Sequence, residues 1–344
     1  MNLKKKIILA ILLILVIATA SFTWLLLGSG TNFSEDKKAI YIKTGSDFNN
    51  VMEEIDRQQI IKYPGIFSFV AKKLNYPKNI KPGKYVFKKG ESIYSIIKTL
   101  RNGNQTPVSL VINKLRTKED LAEKIAANFE CDSTEIIQFL YNKDSLAKYN
   151  LDTNTVMTAI IPNTYNILWN SSAPKIFKKL WNEQEKFWNK ERKQKAAALN
   201  LTPKQVYTLA SIIEEETNKE EDKGKIASVY LNRLETGMEL GADPTVKYAM
   251  RDFGLKRIMN KHLSYPSVYN TYQHLGLPPG PICTPSPKTI DAALNAPSTN
   301  YLYFVAQPNL TGYSNFASTY QQHLLYAKEY QKWISEYLKA KETK

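Results

Sequence analysis

Apolar and polar positions along the chain fall into blocks with different periods. Ile7 to Leu27 is an uncharged, predominantly apolar run, about twenty residues and therefore enough for one helix across a bilayer. Lys4, Lys5 and Lys6 precede it, and the mixed Glu35-Asp36-Lys37-Lys38 follows. The positive-inside rule then predicts a cytoplasmic tail at residues 1–6, a transmembrane helix at 7–27 and the rest of the chain outside. Ala18-Thr19-Ala20 looks like a signal-peptide cleavage site, but the run continues past it through Trp24-Leu25-Leu26-Leu27, where the core of a signal peptide stops. The expectation is a retained single-pass anchor in the cell (inner) membrane. No second span is visible.

Residues 28–38 are small and polar and predict a short tether. Two similar pieces follow. Tyr41-Ile42-Lys43-Thr44-Gly45-Ser46-Asp47-Phe48 and Tyr85-Val86-Phe87-Lys88-Lys89-Gly90-Glu91-Ser92-Ile93 each read as a strand, a glycine turn and a capped helix start. This module, residues 39–107, resembles the LysM-like domains that hold glycan chains.

Val108 to Ile112 alternates as a strand, and Thr117-x-x-Asp120 caps a helix that runs to about Asn128. Residues 133–147 predict a further helix. Residues 175–198 carry Phe177, Leu180, Trp181, Phe187 and Trp188 at helical spacing, a stripe that reads as a packing face. Thr202-Pro203-x-Gln205 opens another helix with a capping box. The sum is an α+β chain: anchor, small module, a connecting α+β region at 108–200 and a helix-rich domain at 201–335.

Charge narrows the partners. The chain has 47 basic and 32 acidic residues, net +15. Export puts nucleic acid out of reach, so the basic surface suits anionic lipid or an acidic wall polymer. Three histidines without a ligand motif argue against a zinc site. Cys131 and Cys283 are an isolated pair, able to bridge in an oxidising compartment.

Against that basic background, residues 211–222, SIIEEETNKEED, hold six carboxylates in twelve positions. At about 100° per residue, Val206, Ala210, Ile213 and Thr217 share one apolar face. Glu215 lies opposite, above Ser211 and Thr208, as a solvent-facing residue. Glu214 and Glu216 flank the apolar face on opposite sides, Glu216 over Ile212 and Leu209. A carboxyl beside branched apolar groups is poorly hydrated and stays protonated near neutrality, as a general acid requires. Geometry alone leaves Glu214 and Glu216 both open. Glu220, Glu221 and Asp222 precede the helical Lys225–Leu234 and favour the positive end of its dipole.

Leu209-Ala210-Ser211-Ile212-Ile213-Glu214-Glu215-Glu216-Thr217 resembles the ASI-[IV]-E-x-E-T signature of the MltG/YceG family of membrane-anchored endolytic murein transglycosylases. The likeness continues through Ile226–Leu234, Asp243-Pro244-Thr245-Val246, Tyr269-Asn270-Thr271-Tyr272, Gly276–Ile282 and Tyr301–Val305. It implies a helix-rich YceG-like catalytic domain, with Glu216, the second Glu of E-x-E-T, as the catalytic acid. Departures are Asn163 in Pro162-Asn163-Thr164-Tyr165, Met157-Thr158 upstream of it, and Ser314 where the family often has His; His323 is kept.

The resemblance further implies a lyase that cleaves the β-1,4 bond between N-acetylmuramic acid and N-acetylglucosamine within nascent strands and leaves 1,6-anhydro ends. No cofactor is implied. Partners would be the glycan strands, peptidoglycan synthases and the division or elongation machinery. Tyr269, Asn270, Thr271 and Tyr272 are candidates for holding acetamido groups and sugar rings, with Gly276–Gly280 as a rigid loop shaping the groove. Asp243 is a second carboxylate or a helix cap, and Asn232 and Arg233 orient the site or bridge helices. The rival enzyme is a hydrolytic muramidase with Asp243 as base, since hydrolysis needs two carboxylates. A non-catalytic wall-binding scaffold is the other alternative.

Overall fold

The computed structural model describes residues 2–342, in two compact units. One comprises the chain up to Leu110 with residues 127–131 and 166–172; the other comprises 111–126, 132–165 and the chain from Ala173 onward. Three two-stranded sheets and fifteen α-helices make up the described chain.

In the first unit, α1 (Leu3–Leu27) buries no residue, and its apolar stretch has a mean hydropathy of 2.6. It is long and apolar enough to cross a membrane. The hydroxyls of Thr19 and Thr23 donate back to helix carbonyls, which satisfies these two donors within the helix as a lipid environment requires. Segment 28–38, expected as a tether, is instead packed in part. Gly30 N donates to Glu91 O, Lys62 N donates to Gly30 O, Thr31 bridges Ile61, and Phe33 is buried.

The module itself runs β1 (Lys37–Ile42), α2 (Phe48–Arg57), α3 (Pro64–Lys73), β2 (Gly83–Lys88) and α4 (Ile93–Asn102). Strands β1 and β2 pair antiparallel, from Lys37 with Lys88 to Ile42 with Gly83. Their inward residues Ile40, Ile42, Tyr85 and Phe87 meet Val51, Ile55, Phe67, Ile96 and Leu100 in one core. The repeated turn-and-cap pattern is real. Gly45 and Gly90 sit at φ +83° and +86°, and Asp47 and Ser92 accept from the amides of Asn50 and Ser95.

The chain continues through β3 (Val108–Ile112), α5 (Lys118–Ala126), α6 (Ser133–Tyr141), α7 (Lys143–Ala147), β4 (Asn163–Ile167), α8 (Ala173–Phe187) and α9 (Lys190–Ala198). The helix expected at 133–147 is therefore split, and the stripe at 175–198 spans two helices. Asn142 caps α7 and Asn189 caps α9, each accepting from the amide three residues on, and such a cap ends one helix to begin the next. The aromatic stripe packs as expected, with Phe177 edgewise against Tyr149 and tilted against Phe139, and with Trp188 buried. Most of the presumed connecting region clusters with the C-terminal residues in the second unit.

Helix α10 (Pro203–Glu216) is the axis of that unit. Thr202 and Gln205 form its capping box, with Pro203 at the first turn. Every residue from Val206 to Ile213 is buried, so these two turns have no solvent face. Thr208 and Ser211, expected beneath an exposed Glu215, are inside. They are tolerated because Thr208 donates to Lys204 O, while Ser211 donates to Thr208 O and accepts from Ile282 N. Around α10 pack α11 (Glu220–Glu235), α12 (Asp243–Met250) and α14 (Pro287–Leu294), preceded by the short α13 (Asn260–Leu263). The β5–β6 hairpin (Tyr303–Ala306, Ser314–Ala317) and α15 (Tyr320–Glu342) follow. Cys131 and Cys283 are buried and form no disulfide.

Gly276–Gly280, expected to shape a groove, packs inward at its end. A Cβ on Gly280 would collide with the main-chain carbonyl of Asn154. Backbone cannot swing aside as a side chain can, so Gly280→Ala is expected to destabilise the fold by about 1–3 kcal/mol. Thermal unfolding by circular dichroism checks this, and an unchanged midpoint would contradict the contact.

Candidate active site

Glu216 is the last residue of α10; Thr217 turns the chain into extended backbone. A carboxylate there meets the negative end of the helix dipole. Beneath it, α11 presents Tyr230, whose hydroxyl donates to Glu216 Oε1 at 2.6 Å. The carboxyl borders a cavity of about 600 Å³. Arg233 from α11, Asp243 at the start of α12 and Tyr272 from the following loop share the lining with it. Tyr303 and Phe304 of β5, Tyr320 and His323 of α15, and Met238, Glu239 and Gly241 between α11 and α12 complete the wall.

The surroundings set the protonation of Glu216. Burial among protein atoms pushes its pKa up to about 7; the Tyr230 hydrogen bond pulls down, Asp243 pushes up, and Arg233 and Lys247 pull down. Desolvation wins because one neutral donor cannot replace the water a carboxylate loses. The site therefore holds a carboxylic acid that exchanges its proton near neutrality, beside the exposed carboxylate Asp243. Asp243 heads α12 without capping it through its side chain, and accepts instead from Tyr272 Oη at 2.7 Å.

The other acids of the run are structural. Glu214 lies outside the cavity lining and accepts from Ser286, from Thr289 and from the buried Lys223 at 3.5 Å. Glu215, expected in solvent, has a side chain only 15% exposed and is clamped by Arg116 at 3.0 Å and Lys114 at 3.2 Å. The reason is that residues 111–126 belong to this unit and cover the face that an isolated helix would leave open. Glu220, Glu221 and Asp222 do sit in the first turn of α11. Asp222 is buried as well and accepts from Ser314 N at 2.7 Å, a backbone bond that is indifferent to which side chain occupies 314.

Of the other expected residues, the cavity gathers Arg233, Asp243 and Tyr272 and leaves the rest behind its wall. Asn270 is fully buried, donating to Leu263 O and Tyr265 O and accepting from Tyr272 N. Thr271 accepts from Ala242 N and meets Thr245. Tyr269 packs on Tyr248 with ring centroids 4.8 Å apart. This loop thus aims Tyr272 and holds Asp243's neighbour in place. Asn232 donates to Thr299 O and Tyr301 O and straps the segment leading into β5. Asn163 is exposed and accepts from Thr164 N.

Sequence reasoning missed Tyr230, Tyr303 and Tyr320. Tyr230 lies fourteen residues from its partner and on a different helix, so only packing reveals the pair. His323 stacks on Tyr303 at 5.3 Å, its Nδ1 is sealed from solvent without a hydrogen-bond partner, and burial lowers its pKa. It is a neutral imidazole in the wall. Among the described residues no cluster of His, Cys, Asp and Glu is fit to hold a metal.

The profile of the YceG-like family matches residues 40–329. A protein of Bacillus subtilis (strain 168) named endolytic murein transglycosylase is 28% identical over 311 residues, covering 86% of this chain and 84% of that protein. One of the same name from Streptococcus pneumoniae strain R6 is 27% identical over 303 residues, covering 77% of this chain; the chain spans 53% of its length. The crystal structure of a yceG-like protein from Listeria monocytogenes superposes with a TM-score of 0.56 at 27% identity, covering 84% of this chain and 98% of that one.

Because the Tyr230 hydroxyl stabilises the ionised carboxyl, Tyr230→Phe is expected to raise the Glu216 pKa further, by roughly one unit. Titration of the Glu216 side-chain carbon by NMR reads this directly. A pKa that falls would show that the hydroxyl does not hold the carboxylate.

Proposed function

The chain belongs to the YceG-like family, and on that basis we propose that it is an endolytic lytic transglycosylase of murein. Its bond is the β-1,4 link between N-acetylmuramic acid and N-acetylglucosamine inside a strand. The observation that carries the reading is Glu216: a carboxyl in a cavity wall, raised to about 7 by burial. At neutral pH an appreciable fraction is protonated, so the same group can give and then take a proton.

In the first half, Glu216 donates to the glycosidic oxygen as the C1–O bond breaks. In the second, the Glu216 carboxylate accepts the proton of the muramyl C6 hydroxyl as O6 closes on C1. One bond is lost and one made, and the proton taken from O6 restores the acid. No water enters, so the reaction is that of a carbon–oxygen lyase and leaves a 1,6-anhydro end. The intramolecular hydroxyl supplies the nucleophile through proximity, which removes the need for the second carboxylate of a hydrolase. Asp243, exposed and bonded to Tyr272, supplies negative charge beside a developing oxocarbenium ion.

Helix α1 is long and apolar enough to anchor the enzyme at the membrane, N-terminus inside. The two-stranded module then holds glycan in the LysM manner, and nascent strands come within reach of the site. Peptidoglycan synthases are the partners that such a position suits.

Glu216→Gln keeps the shape and removes the proton, so turnover of purified murein strands is expected to fall at least about a hundredfold. In the wild type, kcat/KM holds below about pH 7 and declines above it, because the free enzyme must carry the proton. Mass analysis of the new ends decides the chemistry: anhydro ends, lighter by one water, support the lyase. Reducing ends would instead make Asp243 the base of a hydrolase.

A further inference from the structure

Arg233 is held more tightly than a cavity-lining arginine needs to be. Its Nε donates to Leu302 O at 2.7 Å and Nη1 to Leu240 O at 2.6 Å. Its guanidinium lies over the Tyr303 ring, 5.5 Å from the centroid. Two carbonyls and one ring fix the plane of the group. A guanidinium has five N–H donors, and those two bonds leave three unspent. Among the described residues it pairs with no carboxylate, although Glu216, Glu239 and Asp243 border the same cavity. A side chain at Gly241, which sits at φ +54°, would lie 3.5 Å from Nη1 and 3.4 Å from the Tyr272 ring. Those are ordinary contact distances, so it is the φ value and not crowding that calls for glycine here.

A fixed cation with free, coplanar donors suits a planar oxygen acceptor. It is a poor neighbour for the anomeric carbon, where positive charge develops. An electronegative group hanging from a ring is the better fit. Both sugars of murein carry an acetamido group, but only muramic acid bears a lactyl ether at O3. Its carbonyl is a carboxylate on stem-free glycan and an amide carbonyl where the stem peptide is attached.

We propose that Arg233 is a specificity residue that hydrogen-bonds the lactyl carbonyl of muramic acid and so sets the register in which the strand meets Glu216. This rests on the murein reading above. The carbonyl bonds to residues 240 and 302 hold the guanidinium ready, and Tyr303 keeps it from rotating away. A lactyl carboxylate entering beside Asp243 would otherwise meet only like charge.

The test uses full-length Glu216→Gln protein in detergent, which binds without cutting, and isothermal titration calorimetry. Three ligands of equal length are compared: stem-free murein glycan, stem-bearing murein glycan and a chitin oligomer, which has no lactyl group. At least about tenfold tighter binding of a lactyl-bearing strand over chitin is expected. The ratio between the two murein forms separates carboxylate from amide recognition. Adding Arg233→Lys, checked for folding by circular dichroism, should reduce the preference to about twofold while chitin affinity stays the same. Equal loss for all ligands would mean that Arg233 is only a brace, and equal binding of chitin and murein by the Glu216→Gln protein would overturn the proposal even if the double variant failed to fold. Absence of binding to any of the three would remove the murein reading itself.

Discussion

One carboxyl group is deprived of water without being buried from a ligand, and the architecture of the second unit follows from that requirement. Helix α10 is packed on all sides from Val206 to Ile213, which carries Glu216 through the core to a cavity wall. There the group loses most of its hydration yet keeps one donor, Tyr230. Such a position has a stability consequence. The folded pKa is raised, so the fold is favoured while Glu216 keeps its proton and loses stability as pH rises from the ordinary carboxyl range through about 7.

The remaining side chains of the run make this arrangement tolerable. Glu214 with Lys223, and Glu215 with Arg116 and Lys114, are neutralised pairs at the sides of the same helix end. Removing one partner from such a pair leaves an uncompensated charge in a poorly hydrated place. Of the three, Glu216 alone has no cation within pairing distance among the described residues, and burial raises its pKa. The sorting is by partner, since all three are consecutive on one helix.

Opposite Glu216, the wall is assembled by backbone bonds. Asn232 and Arg233 on α11 reach the carbonyls of Thr299, Tyr301 and Leu302 and so hold β5, with Tyr303 and Phe304, in place. Asp222 ties the other strand of the hairpin through Ser314 N. A single helix therefore supplies the donor beneath the acid, the guanidinium beside it and the straps for the facing wall. The Ser314 bond uses the main-chain N–H as donor, and a main-chain group does not depend on which side chain stands at 314.

Local signals in the sequence were sufficient for whatever depends on neighbours a few residues away. The apolar run of α1, the glycine turns before Asp47 and Ser92, the capping box at Thr202 and the acids opening α11 all appear where their patterns placed them. The flank position of Glu216 over Leu209 and Ile212 was also legible, because helical periodicity is a local property. Which face of α10 met solvent was not. Periodicity assumes an amphipathic surface helix, whereas contacts from segments up to a hundred residues away close over every side of this one, so Glu215, Thr208 and Ser211 were misplaced. The same holds for Asn270 and Thr271, whose polar groups could serve a ligand or a turn with equal chemistry. Only the fold, by spending their hydrogen bonds on backbone and on Thr245, decided that they build the site and do not face it.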